Sequence, residues 1–460
     1  MQRRRAGLIG AALLSAAGAI SLVAALCSPI LRAAPLIPTA SSAAGSLGEN
    51  PRPIRLVRPT AGPLSVMAEL GRRVFFDASL SSSGKLSCAG CHDPSHAFGP
   101  PADLPAMKGG PNLSRQGVRA VPSLMYLERQ PAFSIGPDNE ENENVTIGEL
   151  VAQSRDAPRV QKTAPQADRS ASNMVPQGGL FWDGRADTLQ DQAFSPLLDP
   201  REMDGGSVGA VAAKLQRTPY APRMKELFGA SMFDDARFAV AEVLFAVGRY
   251  QIEDPSFHPY TSKFDYWLEG KARFTPSELR GYVLFNNPAK ANCGGCHVDR
   301  PSRDGLPPLF TDHQFEALGA PRNAALVANR DADYFDLGIC GPYRTDMSAD
   351  TQYCGLFLTP TLRNVATRQV FFHNGVFRTL QHVLDFYDFR DTDPQKVYRL
   401  GADGMVRKFD DLPPRYRGNV DITDPPFNRK LGDPPPMTPQ DEADIIAFLG
   451  TLTDGYRKDQ

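Results

Sequence analysis

Cys293-Gly294-Gly295-Cys296-His297 has a twin earlier in the chain, Cys88-Ala89-Gly90-Cys91-His92. C-x-x-C-H is the attachment signal for c-type haem: both thiols add to the haem vinyl groups, and the histidine becomes an axial ligand of the iron. The two motifs use four of the seven cysteines. A zinc site needs no histidine directly after each cysteine pair. A thioredoxin-like redox pair would sit in a βαβ context that this sequence does not offer. The reading is therefore two covalently bound haem c groups.

Working outward, each motif is preceded by a helix and a short turn. Within Ser65–Phe76, Val66, Leu70, Val74 and Phe75 stand at helical spacing, and the Ser-rich run from Ser79 to Ser83 leads to Cys88. Thr275-Pro276-Ser277-Glu278 is a capping box, and a helix through Leu279, Val283, Leu284 and Phe285 leads to Cys293. Glu69-Leu70 and Glu278-Leu279 stand at similar points of the two units. This pattern predicts an internal duplication of a small cytochrome domain. The expected domains are 64–255 and 256–460, divided after an apolar helix over Ala236–Tyr250. Amphipathic helices are also predicted over Leu380–Phe389 and from Thr438 toward Leu452. No stretch alternates convincingly at period two. The fold class is mainly α: two c-type cytochrome domains, each around one covalent haem, with long loops that suit 41 prolines and 39 glycines.

Residues 1–34 begin with Arg3-Arg4-Arg5 and continue into an apolar run, which reads as a signal peptide or an uncleaved N-terminal anchor. Residues 35–63, rich in Pro, Ala, Ser and Gly, read as a linker with little fixed structure. Export to the periplasm agrees with haem c. It also agrees with a structural disulfide between Cys340 and Cys354, Cys27 being lost with the signal. Residues 127–180 read as a solvated loop with an acidic cluster at Asp138, Glu140, Glu141 and Glu143. The formal net charge of −2 makes no case for nucleic acid. Membrane contact is expected only through an uncleaved N-terminal segment.

Several linked motifs occur in order: Leu70-Gly71-Arg72-Arg73-Val74-Phe75-Phe76-Asp77, the first C-x-x-C-H, Phe181-Trp182-Asp183-Gly184-Arg185-Ala186, Thr359-Pro360-Thr361-Leu362-Arg363-Asn364-Val365, and His373-Asn374-Gly375. The series resembles the bacterial dihaem cytochrome c peroxidase and MauG family over residues 64–455. The tail Tyr416-Arg417-Gly418-Asn419-Val420-Asp421 and the Cys340/Cys354 pair are most similar to MauG-like protein-modifying enzymes of the MbnH type.

The resemblance assigns roles. The first haem, on His92, is the peroxide-reactive one. The peroxidases carry a removable distal histidine in the loop after this motif, but between His92 and His258 this chain has only His96, too close to reach the opposite haem face. Met107 is an alternative ligand in that loop. Glu202 matches the family's acid–base, Gln192 the group that orients peroxide, and Pro196 the pocket proline. His297 is the proximal ligand of the second haem. Tyr387 stands where the peroxidases have a methionine ligand, with Met347 and Met405 as rivals. Trp182 matches a tryptophan that relays charge between the haems, whereas Trp267 reads as core. The family also binds Ca2+ between the haems, partly through an asparagine that is Ala120 here.

These matches imply an enzyme that forms a high-valent, bis-Fe(IV)-type state from hydrogen peroxide and oxidises a residue, a tryptophan taken to kynurenine, of a periplasmic partner protein. The alternative is a peroxidase that reduces hydrogen peroxide with electrons from a small cytochrome or cupredoxin. A non-catalytic electron-transfer cytochrome is a third reading.

Overall fold

The computed structural model describes residues 48–138 and 174–457. The expected leader, residues 35–47 of the linker, and Glu140, Glu141 and Glu143 lie outside the described residues.

Ten helices are described: α1 (Val66–Phe75), α2 (Cys88–Cys91), α3 (Leu189–Leu198), α4 (Val208–Leu215), α5 (Ala221–Phe228), α6 (Ala236–Glu253), α7 (Lys263–Leu268), α8 (Pro276–Phe285), α9 (Leu380–Phe389) and α10 (Pro439–Gly450). Three short antiparallel ribbons join them: β1 (Lys108–Gly109) with β2 (Arg115–Gln116), β3 (Ser134–Pro137) with β4 (Met174–Gln177), and β5 (Phe315–Glu316) with β6 (Phe357–Leu358). The architecture is mainly helical, as the patterning predicts, and all described residues fall in one compact unit.

Helix starts follow local chemistry. Thr275 accepts from the Glu278 backbone while Glu278 reaches back to the cap, and Thr438 and Asp441 do the same at α10. Ser65 caps α1 by accepting from the Ala68 amide, without a reciprocal carboxylate.

The helix before each haem motif packs along a later helix, α1 on α6 and α8 on α10. In both crossings a glycine brings the backbones together. A Cβ on Gly71 would lie 1.8 Å from the Ala246 carbonyl oxygen, and one on Gly281 would lie 1.9 Å from that of Asp444. Each glycine stands six residues after its N-cap, Ser65 or Thr275. The two units therefore align on Gly71 and Gly281. Glu69 and Glu278, paired in the sequence reading, are one position out of step, because only Glu278 closes a capping box.

The α1–α6 core buries Leu70, Val74, Phe75, Val243, Val247 and Tyr250. Around the α8–α10 crossing the core is aromatic. Trp267 is fully buried and stacks on Phe274 with ring centroids 4.5 Å apart, in the packing role expected of it.

Residues 48–58 differ from the expected unstructured linker. Gly48 accepts from Trp267 Nε1 (3.0 Å) and the Phe274 amide (2.8 Å), the Ile54 amide donates to Leu268 O (2.9 Å), and Arg58 pairs bidentately with Glu269. Pro, Ser and Gly composition carries no information about such distant partners, so the chain is already ordered at Gly48, well before Leu64.

Candidate active site

Both haem motifs open onto cavities. One is lined by Cys88, Cys91, His92, Gln192, Pro196 and Glu202. The other, of about 290 Å³, is lined by Cys293, Cys296, His297 and Tyr387 among mainly apolar side chains, and Trp182 stands in its wall. Leu124 and Gln192 face both. Residues spread over nearly three hundred positions of sequence are thus gathered at two adjoining pockets.

The residues present fit two haem groups. His92 Nδ1 lies 3.1 Å from Phe98 O, and His297 Nδ1 lies 2.9 Å from Phe310 O. A ring nitrogen that donates to a carbonyl fixes the tautomer and leaves Nε2 as the metal-binding atom. Burial pushes both imidazoles down to about 4, so each is neutral at physiological pH. Burial also pushes the thiols of Cys88, Cys91 and Cys293 up to about 12, and all four motif cysteines are free rather than disulfide-bonded. Gln251 supports the fit: it is buried on the first cavity, and its side-chain oxygen has no hydrogen-bond partner.

Helix α3 and the turn after it place Gln192, Pro196 and Glu202 on the first cavity. Thr188 caps α3, which carries Gln192 and Pro196. The turn returns Glu202 to the same cavity through its amide bond to Asp199 O and the Met203 amide bond to Pro196 O. Desolvation, then the nearby Asp199 charge, push the Glu202 carboxyl up to about 7, against Arg185. Among the described residues lining this cavity, His92 is the one histidine. His96 is held on a turn beside Asp93, and Met107 is not on the cavity.

Trp182 is fixed by its indole N–H, which donates to Ala120 O at 2.8 Å, and by its carbonyl, which accepts from the Leu358 amide. The adjacent Asp183 is fully buried and held by Arg119 (2.7 Å) and Arg185 (2.9 Å). Arg119 also pairs with Asp336, whose carboxyl burial would raise but Arg119 holds below its usual range. Later in the chain, Arg363 clamps Asp265 through two buried hydrogen bonds, and His373 bonds Asp411 at 3.1 Å.

On the second cavity, α9 presents Tyr387, whose ring lies 5.5 Å from that of Phe427. Burial pushes its phenol upward, so deprotonation there requires a strong local cation. The rivals differ: Met405 is exposed, and Met347 is not on the cavity. Cys340 and Cys354 are bonded, and the loop they close carries Arg344 onto the backbone carbonyls of Asp183 and Gly184. The tail motif meets the same loop, with Asn419 donating to Thr351 O and Cys354 O.

The surroundings of the family's calcium position do not fit that ion. Ala120 offers no side-chain oxygen, and the Val370 carbonyl accepts from Arg368 Nε at 3.3 Å. The sequence reading missed Gln251, and it placed a calcium-ligand carbonyl near Arg368 without foreseeing that the Arg368 guanidinium itself would occupy the site. Gln251 did leave a signal, as a lone polar residue in line with Val243 and Val247 on α6.

Residues 65–273 match the family model described as di-haem cytochrome c peroxidase. The chain is 32% identical over 349 residues to methylamine utilization protein MauG of Paracoccus denitrificans, covering 73% of this chain and 79% of that protein. It is 27% identical over 355 residues to cytochrome c551 peroxidase of Nitrosomonas europaea, covering 75% and 79%. The crystal structure of the diheme peroxidase BthA of Burkholderia thailandensis superposes with a TM-score of 0.72 at 36% identity, covering 89% of this chain and 92% of that one. With two haem-motif cavities joined at Gln192 and relatives of both kinds, the chain belongs to the di-haem cytochrome c peroxidase and MauG family of haem oxidoreductases.

Proposed function

We propose that this chain is a periplasmic enzyme that uses hydrogen peroxide to oxidise a residue, a tryptophan taken to kynurenine, of a partner protein. Bound at the two motifs through thioether links, the haems supply the oxidising chemistry. The observation that carries the reading is Tyr387 on the same cavity as His297, where an electron-accepting peroxidase would use a methionine. A hard anionic oxygen lowers a haem's reduction potential and favours holding an oxidising equivalent over taking electrons from small cytochromes.

The chain's own groups supply the rest. Gln192 orients peroxide. Glu202, balanced between its two protonation states near neutrality, takes a proton from one peroxide oxygen at its carboxylate and returns it to the other. Trp182, held by Ala120 O, passes electrons between the pockets, so a large partner need not enter them.

Electron paramagnetic resonance of the resting ferric protein tests this, with one high-spin and one low-spin haem expected. Two low-spin haems would defeat it. Tyr387→Phe should abolish the near-infrared absorption that follows peroxide while both haems stay attached. A second reading, peroxide removal with electrons from a small cytochrome or cupredoxin, draws support from the likeness to cytochrome c551 peroxidase and BthA. Rapid turnover with a reduced small cytochrome would favour it.

A further inference from the structure

Arg368 is a cation held by carbonyls. Its Nη2 donates to Val121 O at 2.9 Å and its Nε to Val370 O at 3.3 Å. Among the described residues no carboxylate pairs with it, and burial is the one influence on its pKa, lowering it to about 10, so it stays charged at neutral pH. It lines the large cavity and also lies near the first haem loop, where a Cβ on Gly99 would come 3.4 Å from its Nη1 and its charge bears on His92. Backbone carbonyl oxygens are the partners a hard metal cation takes. The neighbouring polar groups are already engaged: Ala120 O accepts from Trp182, and the Ala120 amide donates to His373 O.

We infer that the Arg368 guanidinium takes the place of a structural calcium between the two haem pockets, so that the fixed positive charge there belongs to the chain and not to a metal. A divalent ion seeking the same carbonyls would meet this charge with no carboxylate between them. Once haem is bound in the cavity it lines, Arg368 would offer a planar guanidinium well shaped to balance a haem carboxylate. A side-chain cation cannot be chelated, so the site keeps its charge whatever the calcium supply.

The inference rests on the two-haem reading above, and its test is separable from that reading. Elemental analysis of the purified holoprotein should find no stoichiometric calcium, and EGTA should leave its resting paramagnetic resonance spectrum unchanged. One calcium per chain, removed by EGTA with a changed spectrum, overturns the inference. Arg368→Met should shift the reduction potential of the first haem downward, because a nearby positive charge favours the reduced iron. Arg368→Lys keeps the charge and should recover most of that shift. Unchanged potentials in Arg368→Met would overturn the electrostatic role. Ala120→Asn combined with Arg368→Ala should create calcium binding, read as sensitised terbium luminescence that the parent protein lacks, and its absence counts against the substitution of metal by guanidinium. Two low-spin haems in the parent protein would defeat the proposed function alone, since calcium content is measured independently of spin state.

Discussion

Glu202 and Tyr387 are opposite uses of one effect. Burial favours the neutral form of each, but the carboxyl is left poised near 7 while the phenol is driven upward. As a base, Glu202 must be deprotonated to accept a proton from peroxide, so the rate of the peroxide reaction should rise with pH through about 7 and then level. Glu202→Gln should slow that reaction by about 10²–10⁴-fold and remove the inflection, as measured by stopped-flow absorption. At the second haem, Tyr387→Met should raise the reduction potential, read by potentiometric titration, and increase turnover with a reduced small cytochrome. An unchanged potential would show that Tyr387 is not an axial ligand. Both residues were legible only through their distance from a motif in a known family. Alone, Glu202 is a loop carboxylate and Tyr387 an aromatic on an amphipathic helix. The family match put the Arg368 backbone at the calcium site, but the role of its guanidinium was not legible: an arginine's partners are invisible in sequence when they are carbonyls such as Val121 O, 247 residues away.

At the scale of elements, the helices read well because their signals are local. The prediction for Leu380–Phe389 matches α9, and the capping boxes at Thr275 and Thr438 stand at the observed starts. Ends read less well: α6 runs on to Glu253, three residues past Tyr250, and α10 stops at Gly450, short of Leu452. What sequence could not reveal was helix-on-helix register, which depends on the atom a glycine lacks. Gly281→Ala would place a methyl carbon 1.9 Å from Asp444 O and push α8 off α10. The expected cost is about 1–3 kcal/mol by chemical denaturation of the holoprotein. Gly209→Ala on α4 supplies the contrast, since its nearest neighbour would be Ser207 Oγ at 3.8 Å. There the relief of backbone freedom should stabilise by about 0.5–1 kcal/mol. If both substitutions act alike, the close approach at Gly281 does not control the packing of α8.

Across the whole molecule, the disulfide loop links the stability of the fold to the centre of the site. Cys340 and Cys354 are 14 positions apart, and closing a loop of this size stabilises the fold by about 3 kcal/mol through the entropy of the unfolded chain. The loop also makes directed contacts. Arg344 reaches from it to Asp183 O (3.0 Å) and Gly184 O (3.1 Å), on the turn that carries Trp182, while Asn419 ties the other end of the loop to the C-terminal tail. Removing the bond should therefore have two separable effects. Cys340→Ser with Cys354→Ser should lower the denaturation midpoint by an amount set by chain entropy. It should also weaken the peroxide-induced near-infrared absorption, because Arg344 no longer holds the Trp182 turn. Arg344→Ala with the disulfide intact should reproduce the spectral loss with a smaller loss of stability. If the double serine variant loses stability while its near-infrared absorption is unchanged, the loop is a staple only, and Trp182 is positioned by Ala120 O and the Leu358 amide without it.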